Sequence, residues 1–290
     1  MTMREGRTFA VLILTHGRPH NVRSLSLLRE SGYTGDTYFV IDNEDAQGDE
    51  YRRTYGADRV VEFDKAAIAQ TFDTADTSND RRAIVYARNA AFGIARELGL
   101  DYFLQLDDDY HSFRLRRVID GVLREARLPR DIDLVFDLML DFLDDTGAAT
   151  VAFAQGGDQI GGIKGGNFKQ GIVRKTMNTF FCRTDRPVGF LGRLNEDVSA
   201  YVVHGSRGHL FFGVMRLQVE QTPTQHAEGG MTDTYRDGGT YLKSFYTVMM
   251  APSCVTVQPM GGPVAPRFHH RVAWDSAVPK IINERYRKAS

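Results

Sequence analysis

The chain has 290 residues, 42% of them hydrophobic, which is enough to fill the core of one large α/β domain or two modest ones and excludes a disordered polypeptide. Its 36 lysines and arginines meet 37 aspartates and glutamates, so the net charge of -1 excludes a global attraction to nucleic acid or to an anionic membrane. A polyanion would have to be met by a local patch. Cys182 and Cys254 show no paired spacing of a zinc site or disulfide framework, which fits a reducing cytoplasm.

The first seven residues are polar, and the apolar run after them, 9–14, is too short for a signal segment or a membrane span. A soluble, cytoplasmic protein is expected. That run reads as a buried parallel strand ending in Thr15-His16-Gly17-Arg18-Pro19. A helix over 21–30 follows, then a turn at Gly32 to Gly35 and a strand over 37–41 that stops at Asp42-Asn43-Glu44-Asp45. A third strand is predicted over 59–63, and a long helix over 82–98, closed by Gly99, leads into a strand over 102–106 and three aspartates. Strands alternating with helices imply parallel βαβ units, whose ligands gather at the carboxyl ends of the strands. The polar clusters at 15–19, 42–45 and 107–109 all fall there.

The second half reads as a helix over 132–143, a strand over 150–154, and a glycine-dense stretch from Gly156 to Asn167 that reads as one long flexible loop with Lys164, Lys169, Arg174 and Lys175 beside it. Strands are predicted over 179–183, 210–219 and 255–258. Glycines 229–230 and 238–239 suggest a second mobile loop, and Phe168, Tyr235, Tyr241, Phe245 and Tyr246 are aromatics that could stack on a base or sugar, although most aromatics are core. No repeat or linker divides the chain, so a single domain over 1–290 is expected.

Asp107-Asp108-Asp109 directly after an apolar strand is the sharpest chemical signal. Such carboxylates can hold a hard divalent cation and leave positions open for a diphosphate, against the plainer reading of a solvated acidic turn. Asn195-Glu196-Asp197 stands where a loop enters a helix, as a carboxylate able to deprotonate an acceptor hydroxyl or as a simple cap. His269-His270, between Arg267 and Arg271, could complete a metal shell, though such a pair alone is more often packing. Thr15, Arg18 and Asp42 at strand ends, and Arg88 with Asn89 on the long helix, could reach a uracil, ribose or phosphate. No GxGxxG or P-loop pattern is present, which argues against a dehydrogenase or kinase.

The order of these motifs, from Thr15-His16-Gly17-Arg18-Pro19 and Val40-Ile41-Asp42-Asn43-Glu44-Asp45 through Ala87-Arg88-Asn89 and Leu106-Asp107-Asp108-Asp109-Tyr110 to Asn195-Glu196-Asp197-Val198, resembles that of GT-A glycosyltransferases. Ala152 to Asp158, Met177-Asn178, Phe180-Phe181-Cys182, Gly229-Gly230-Met231-Thr232-Asp233, Lys243-Ser244-Phe245-Tyr246 and His269-His270 make the chain similar to the TET-associated glycosyltransferase family along nearly its whole length.

That resemblance implies an α/β GT-A (Rossmann-like) fold, a mixed, mainly parallel sheet flanked by helices, with a nucleotide-sugar half over 1–115 and an acceptor half over 116–290. It implies a metal-dependent, inverting transfer from a UDP-sugar to 5-hydroxymethylpyrimidine in DNA, 5-hydroxymethylcytosine first, as in the largely phage-encoded family. Mn2+ or Mg2+ would sit at Asp107 and Asp109 with His269 or His270. Thr15, Arg18, Asp42, Arg88, Asp107 and Asp108 would bind the donor, and Asp197 or Glu196, the former preferred, would act as base. Asn43 departs from the usual paired-acid motif, which leaves the preference for uracil open. Competing readings are transfer to protein or a small molecule, a sugar-phosphate nucleotidyltransferase, which lacks its glycine-rich loop here, and a silent nucleotide-sugar-binding module.

Overall fold

The computed structural model describes residues 6–128, 130–221, 242–260 and 267–278. Strand β1 (Phe9–Leu14) is buried along its whole length. It runs parallel to β2 (Asp36–Asp42) on one side and to β4 (Tyr102–Asp107) on the other, and β3 (Val60–Phe63) extends the parallel half beyond β2. A continuous apolar run is what a strand covered on both faces requires.

The two faces divide the core between two helical layers. Leu12 and Leu14 point with Phe103 towards α4 (Val85–Glu97), whose Ala87, Ala90, Ala91 and Ala95 let the helix approach the sheet closely. Val11 and Ile13 point the other way, towards Leu27 and Leu28 of α1 (Arg23–Glu30) and Phe136, Met139, Leu140 and Leu143 of α5 (Ile132–Thr146). Helix α5 stops at Gly147 in the left-handed region, φ 62°, the backbone state that favours glycine at a helix end. Between these lie two short helices that the sequence reading did not foresee, α2 (Gly48–Tyr55) and α3 (Lys65–Ala69).

Beyond β4 the same sheet continues with later strands in the order β4, β9 (Phe180–Arg183), β7 (Thr150–Ala154), β10 (Phe211–Gln221), β5 (Tyr110–Ile119) and β6 (Val122–Arg127), with β8 (Ile172–Val173) against β10. Strand β9 is antiparallel to both its neighbours, and β10 is parallel to β7 but antiparallel to β5. The result is the expected mixed α/β sheet flanked by helices.

The glycine-dense stretch differs from the expected long loop. It forms two 3-10 turns, Gly156–Gln159 and Gly162–Lys164, and a short helix α6 (Gly166–Gln170). Asp158 organises the first turn by accepting the Gln155 N–H at 2.9 Å and pairing with Lys175. Helix α7 (Glu196–Ser206), a helix over 242–250 (α8), a separate hairpin of β11 (Val255–Met260) and β12 (Arg267–Val272), and α9 (Trp274–Ala277) complete the described chain. The second glycine cluster, with Tyr235 and Tyr241, lies outside the described residues. Among the described residues no helix is long and apolar enough to cross a membrane.

Candidate active site

The three polar loops at the ends of β1, β2 and β4 meet. The Thr15 hydroxyl donates to Asp108 Oδ2 at 2.7 Å, and Arg18 Nη2 stands 3.0 Å from Asp108 Oδ1. With its own proton on Asp108, Thr15 accepts from Tyr51 OH at 2.8 Å, and the same phenol accepts the Arg18 N–H at 2.8 Å. Tyr51 was not among the candidates, because it sits on α2. At Gly17, φ 69°, the backbone turns so that its N–H donates to Asp45 Oδ2 at 2.7 Å.

Asp42 is buried and takes His16 Nδ1 at 2.8 Å, Lys65 Nζ at 3.2 Å and the Glu44 N–H at 3.1 Å. Lys65 is itself buried, and no local pattern announced it as Asp42's partner.

This group sets a pH dependence. The hydrogen bond to Asp42 raises His16 above its ordinary 6.5, while burial works against it. Burial alone would raise Asp42, but His16 and Lys65 overcome it and hold the carboxyl below its ordinary 3.8. A depressed acid contributes stability that is present above 3.8 and lost as pH falls through its folded value, and a raised histidine contributes stability present below 6.5 and lost as pH rises through its folded value. The melting temperature of the ligand-free protein is therefore expected to be highest between those values, and His16→Gln should flatten the alkaline flank in a thermal-shift series. An unchanged alkaline flank would remove this account of the pair.

The aspartate turn is gripped from α1. Ser24 Oγ donates to the Asp107 carbonyl and accepts the Tyr110 N–H at 3.1 Å. Asp107 Oδ1 lies 3.0 Å from Arg88 Nη2, and Tyr110 OH donates to Asp107 Oδ2 at 3.2 Å. Burial raises all three aspartates above the ordinary carboxylate range, Asp107 to about 6 even with Arg88 beside it. Arg88 at Asp107, and Arg18 at Asp108 and Asp109 with Arg23, work against that rise without overcoming it.

Arg88 does not reach out for ribose or phosphate, as its place on the long helix suggested. It is 1% exposed and lies beneath the carboxylates, with Nε 2.9 Å from Glu196 Oε1, its guanidinium 4.8 Å from the Phe180 ring centroid, and its carbonyl accepting from Gln105 Nε2 at 3.2 Å. Its neighbour Asn89 is bonded in both directions to the Phe190 backbone, at 2.9 and 3.1 Å, which fixes the loop leading to α7.

Asn195 enters α7 in the left-handed region, φ 59°, and its amide donates to Thr247 Oγ1. The next two residues then diverge. Glu196 turns in to Arg88, and Asp197 lines a cleft of about 1240 Å³ while accepting the Val198 N–H at 2.7 Å.

His269 and His270 of β12 line that same cleft. His270 Nδ1 is 3.2 Å from Asn195 Nδ2, and burial, aided by His269, Lys243 and Lys175, holds its pKa down to about 3, so the ring is neutral. The pair does not join Asp107 and Asp109. Among the described residues no three His, Cys, Asp or Glu side chains stand together as a metal-holding group. The pairing of β12 with β11, invisible in the sequence, sends the histidines to the cleft that Asp197 lines. Two of the candidate aromatics are likewise committed elsewhere: Phe168 is buried under Arg216, and Tyr246 bonds Arg193.

A sequence profile of the TET-associated glycosyltransferase family matches residues 9–230. The chain belongs to that family. The family is one of glycosyltransferases, which fits the acid pair and strand-end carboxylates described above. No curated protein matches the chain. Among solved structures, the glucosyl-3-phosphoglycerate synthase of Mycobacterium tuberculosis in complex with Mn2+ and UDP-glucose is 11% identical, with a TM-score of 0.49 over 92% of this chain and 86% of that one. Residues 1–349 of S. aureus TarS are 12% identical, with a TM-score of 0.42 over 83% of this chain and 65% of that one.

Proposed function

We propose that this glycosyltransferase moves a sugar from a nucleotide-sugar, UDP-linked by preference, to the hydroxyl of a 5-hydroxymethylpyrimidine in DNA, 5-hydroxymethylcytosine first, with inversion. The observation that carries this reading is the division of labour at the start of α7. Glu196 is committed to Arg88, which leaves Asp197 as the member of that pair in the cleft wall, where the other carboxylates, Asp158 and Glu220, are paired with Lys175 and Arg114. A single displacement needs one base positioned on the acceptor side, and Asp197 fills that role. Arg174, Lys175, Lys243 and Arg271 line the cleft against Asp158, Asp197 and Glu220, an excess of one positive charge in a chain whose net charge is -1, which is compatible with a nucleic-acid substrate.

On the donor side, Arg18 has one guanidinium nitrogen on Asp108 and a buried Nε without a protein partner, and is the residue to meet a phosphate. Thr15, Asp42 and Asp108 shape the floor against which the nucleotide rests. Carboxylate oxygens at a strand end, raised in pKa by burial and mutual repulsion, fit a hard divalent cation, Mn2+ or Mg2+, at Asp107 and Asp109. Such an ion supplies charge neutralisation for a departing nucleoside diphosphate. Arg88 acts from behind, holding Asp107 and Glu196 in a fixed relation, and so couples donor floor to acceptor wall.

The test is mass spectrometry of nucleosides from 5-hydroxymethylcytosine DNA incubated with enzyme, Mn2+ and a panel of nucleotide-sugars, beside unmodified DNA. A hexose or pentose mass on the modified base alone is the expected result. Donor hydrolysis without any sugar on DNA would overturn the acceptor and move it to protein or a small molecule.

A further inference from the structure

The β5–β6 hairpin is the feature of the molecule that the transfer site leaves unexplained. It is the last pair of strands in the sheet, so β6 is an edge, and its residues are exposed or half-exposed on both faces. Residues 110–127 carry five arginines against Asp120 and Glu125.

The register sorts these charges. Arg116 stands opposite Glu125 and pairs with it, but one step nearer the tip Arg117 stands directly opposite Arg124, both exposed and with no ion pair to either among the described residues. Like charges facing each other across two strands are destabilising. Beyond them the hairpin closes on Asp120-Gly121, φ 52° and 71°, and the residues around this turn are aliphatic: Val118, Ile119 and Val122 are 44–47% exposed. Protection of an edge against aggregation would account for exposed charge, but not for three bare aliphatics at the tip. Repelling cations behind an apolar tip suit a partner that is both anionic and able to receive apolar contact in a groove.

We propose that the β5–β6 hairpin is a nucleic-acid-binding arm, in which Arg117 and Arg124 grip backbone phosphates while Val118, Ile119 and Val122 press against sugar and base edges. A two-stranded ribbon fits the major groove, and the arginine pair lies two residues, about 7 Å, behind the tip, against a groove depth of about 8.5 Å. The root of the arm belongs to the acceptor cleft. Arg116 Nε donates to Gln218 Oε1 at 2.6 Å and Arg114 Nε to Glu220 Oε2 at 2.9 Å, and both acceptors line that cleft. Side chains alternate along a strand, so Arg117 and Arg124 lie on the other face of the arm from Arg114 and Arg116, and the arm holds the duplex beyond the rim of the cleft, an inference that rests on DNA being the acceptor.

The experiment measures binding of a fluorescein-labelled, unmodified 20-base-pair duplex by anisotropy between about 50 and 200 mM NaCl, the range over which phosphate contacts are most visible. Wild type is compared with Arg117→Ser/Arg124→Ser and with Arg117→Lys/Arg124→Lys. The serine variant should lose roughly ten- to a hundredfold in affinity at the lower salt, and its log K against log salt slope should be less steep by about 1.8, at 0.9 per phosphate contact. The lysine variant should keep the slope, and donor hydrolysis without DNA should be equal in all three, showing an intact core. A serine variant with wild-type affinity and slope overturns the arm, as does a wild type that does not bind DNA, or a change of oligomeric state on gel filtration that makes the tip a contact between copies. Sugar transfer by wild type to hydroxymethylated DNA, followed in parallel, separates the two readings. Transfer with a dispensable arm sinks the arm alone, and arm-dependent binding without transfer sinks the acceptor alone.

Discussion

Asp197→Asn is expected to lower kcat by roughly 10²- to 10⁴-fold, the usual contribution of a positioned general base, while leaving Mn2+-dependent UDP binding by titration calorimetry within about twofold of wild type. The asymmetry follows from position. Asp197 lines the cleft proposed to take the acceptor and makes its hydrogen bond to the first turn of its own helix, a bond that the asparagine oxygen preserves. Asp109→Ala should behave oppositely and lose metal-dependent donor binding. Equal loss of donor binding in the two variants would remove the assignment of separate roles to the two carboxylates. Glu196→Gln is a third state. It keeps a hydrogen-bond acceptor for Arg88 but removes the charge, so it should perturb the aspartate turn more than the proton transfer.

Arg88→Met should be the most destabilising single change in the site. It deletes the cation that pairs with both Asp107 and Glu196 in a place where the guanidinium is almost fully buried. Removing one member of such a group leaves uncompensated charge and costs about 3–5 kcal/mol, which for a chain of this size lowers Tm by roughly 10 °C. The double variant Arg88→Met/Glu196→Gln should recover part of the loss, because one of the stranded carboxylates is then neutral. Differential scanning calorimetry of the ligand-free proteins decides this, and a Tm within about 2 °C of wild type for Arg88→Met would mean the cluster is already relaxed by water or by proton uptake.

Those two residues also show where sequence reading succeeds and where it stops. The strand at 9–14 and the helix covering α4 announce themselves because burial on both faces, or along one helical stripe, writes a local pattern of apolar residues. Carboxylates at the end of such a strand are legible for the same reason. Arg88 looked like a residue facing a ligand because its helix could be placed but its rotation and depth could not. Its partner Glu196 lies 108 residues away, and no periodicity encodes that meeting. Lys65 under Asp42 and Tyr51 between Thr15 and Arg18 escaped because they ride on helices of five and eight residues, too short for a 3.6-residue periodicity to mark them. The β5–β6 hairpin carried a signal that went unread. Asp120-Gly121 between apolar residues is the composition of a tight two-residue hairpin turn, masked here by arginines where alternation would show. His269 and His270 show a different limit. Their side-chain chemistry suggested a metal, but their place in the wall of the cleft that Asp197 lines depends on the pairing of β12 with β11, which no local pattern encodes.

The order of strands in the sheet has a consequence for synthesis on the ribosome. When β4 and the β5–β6 hairpin have been made, the strands that cover them, β9 and β10, are still to come, since Gln105 pairs with Phe180 and Leu115 with Leu217. A nascent chain of this length holds two unpaired sheet edges with Leu104, Leu106 and Phe113 behind them. Pairings so distant in sequence close late and slowly. Fragments ending before Phe180 should therefore collect in aggregates, and the full chain should give its best soluble yield where translation is slow or a chaperone shields the waiting edges.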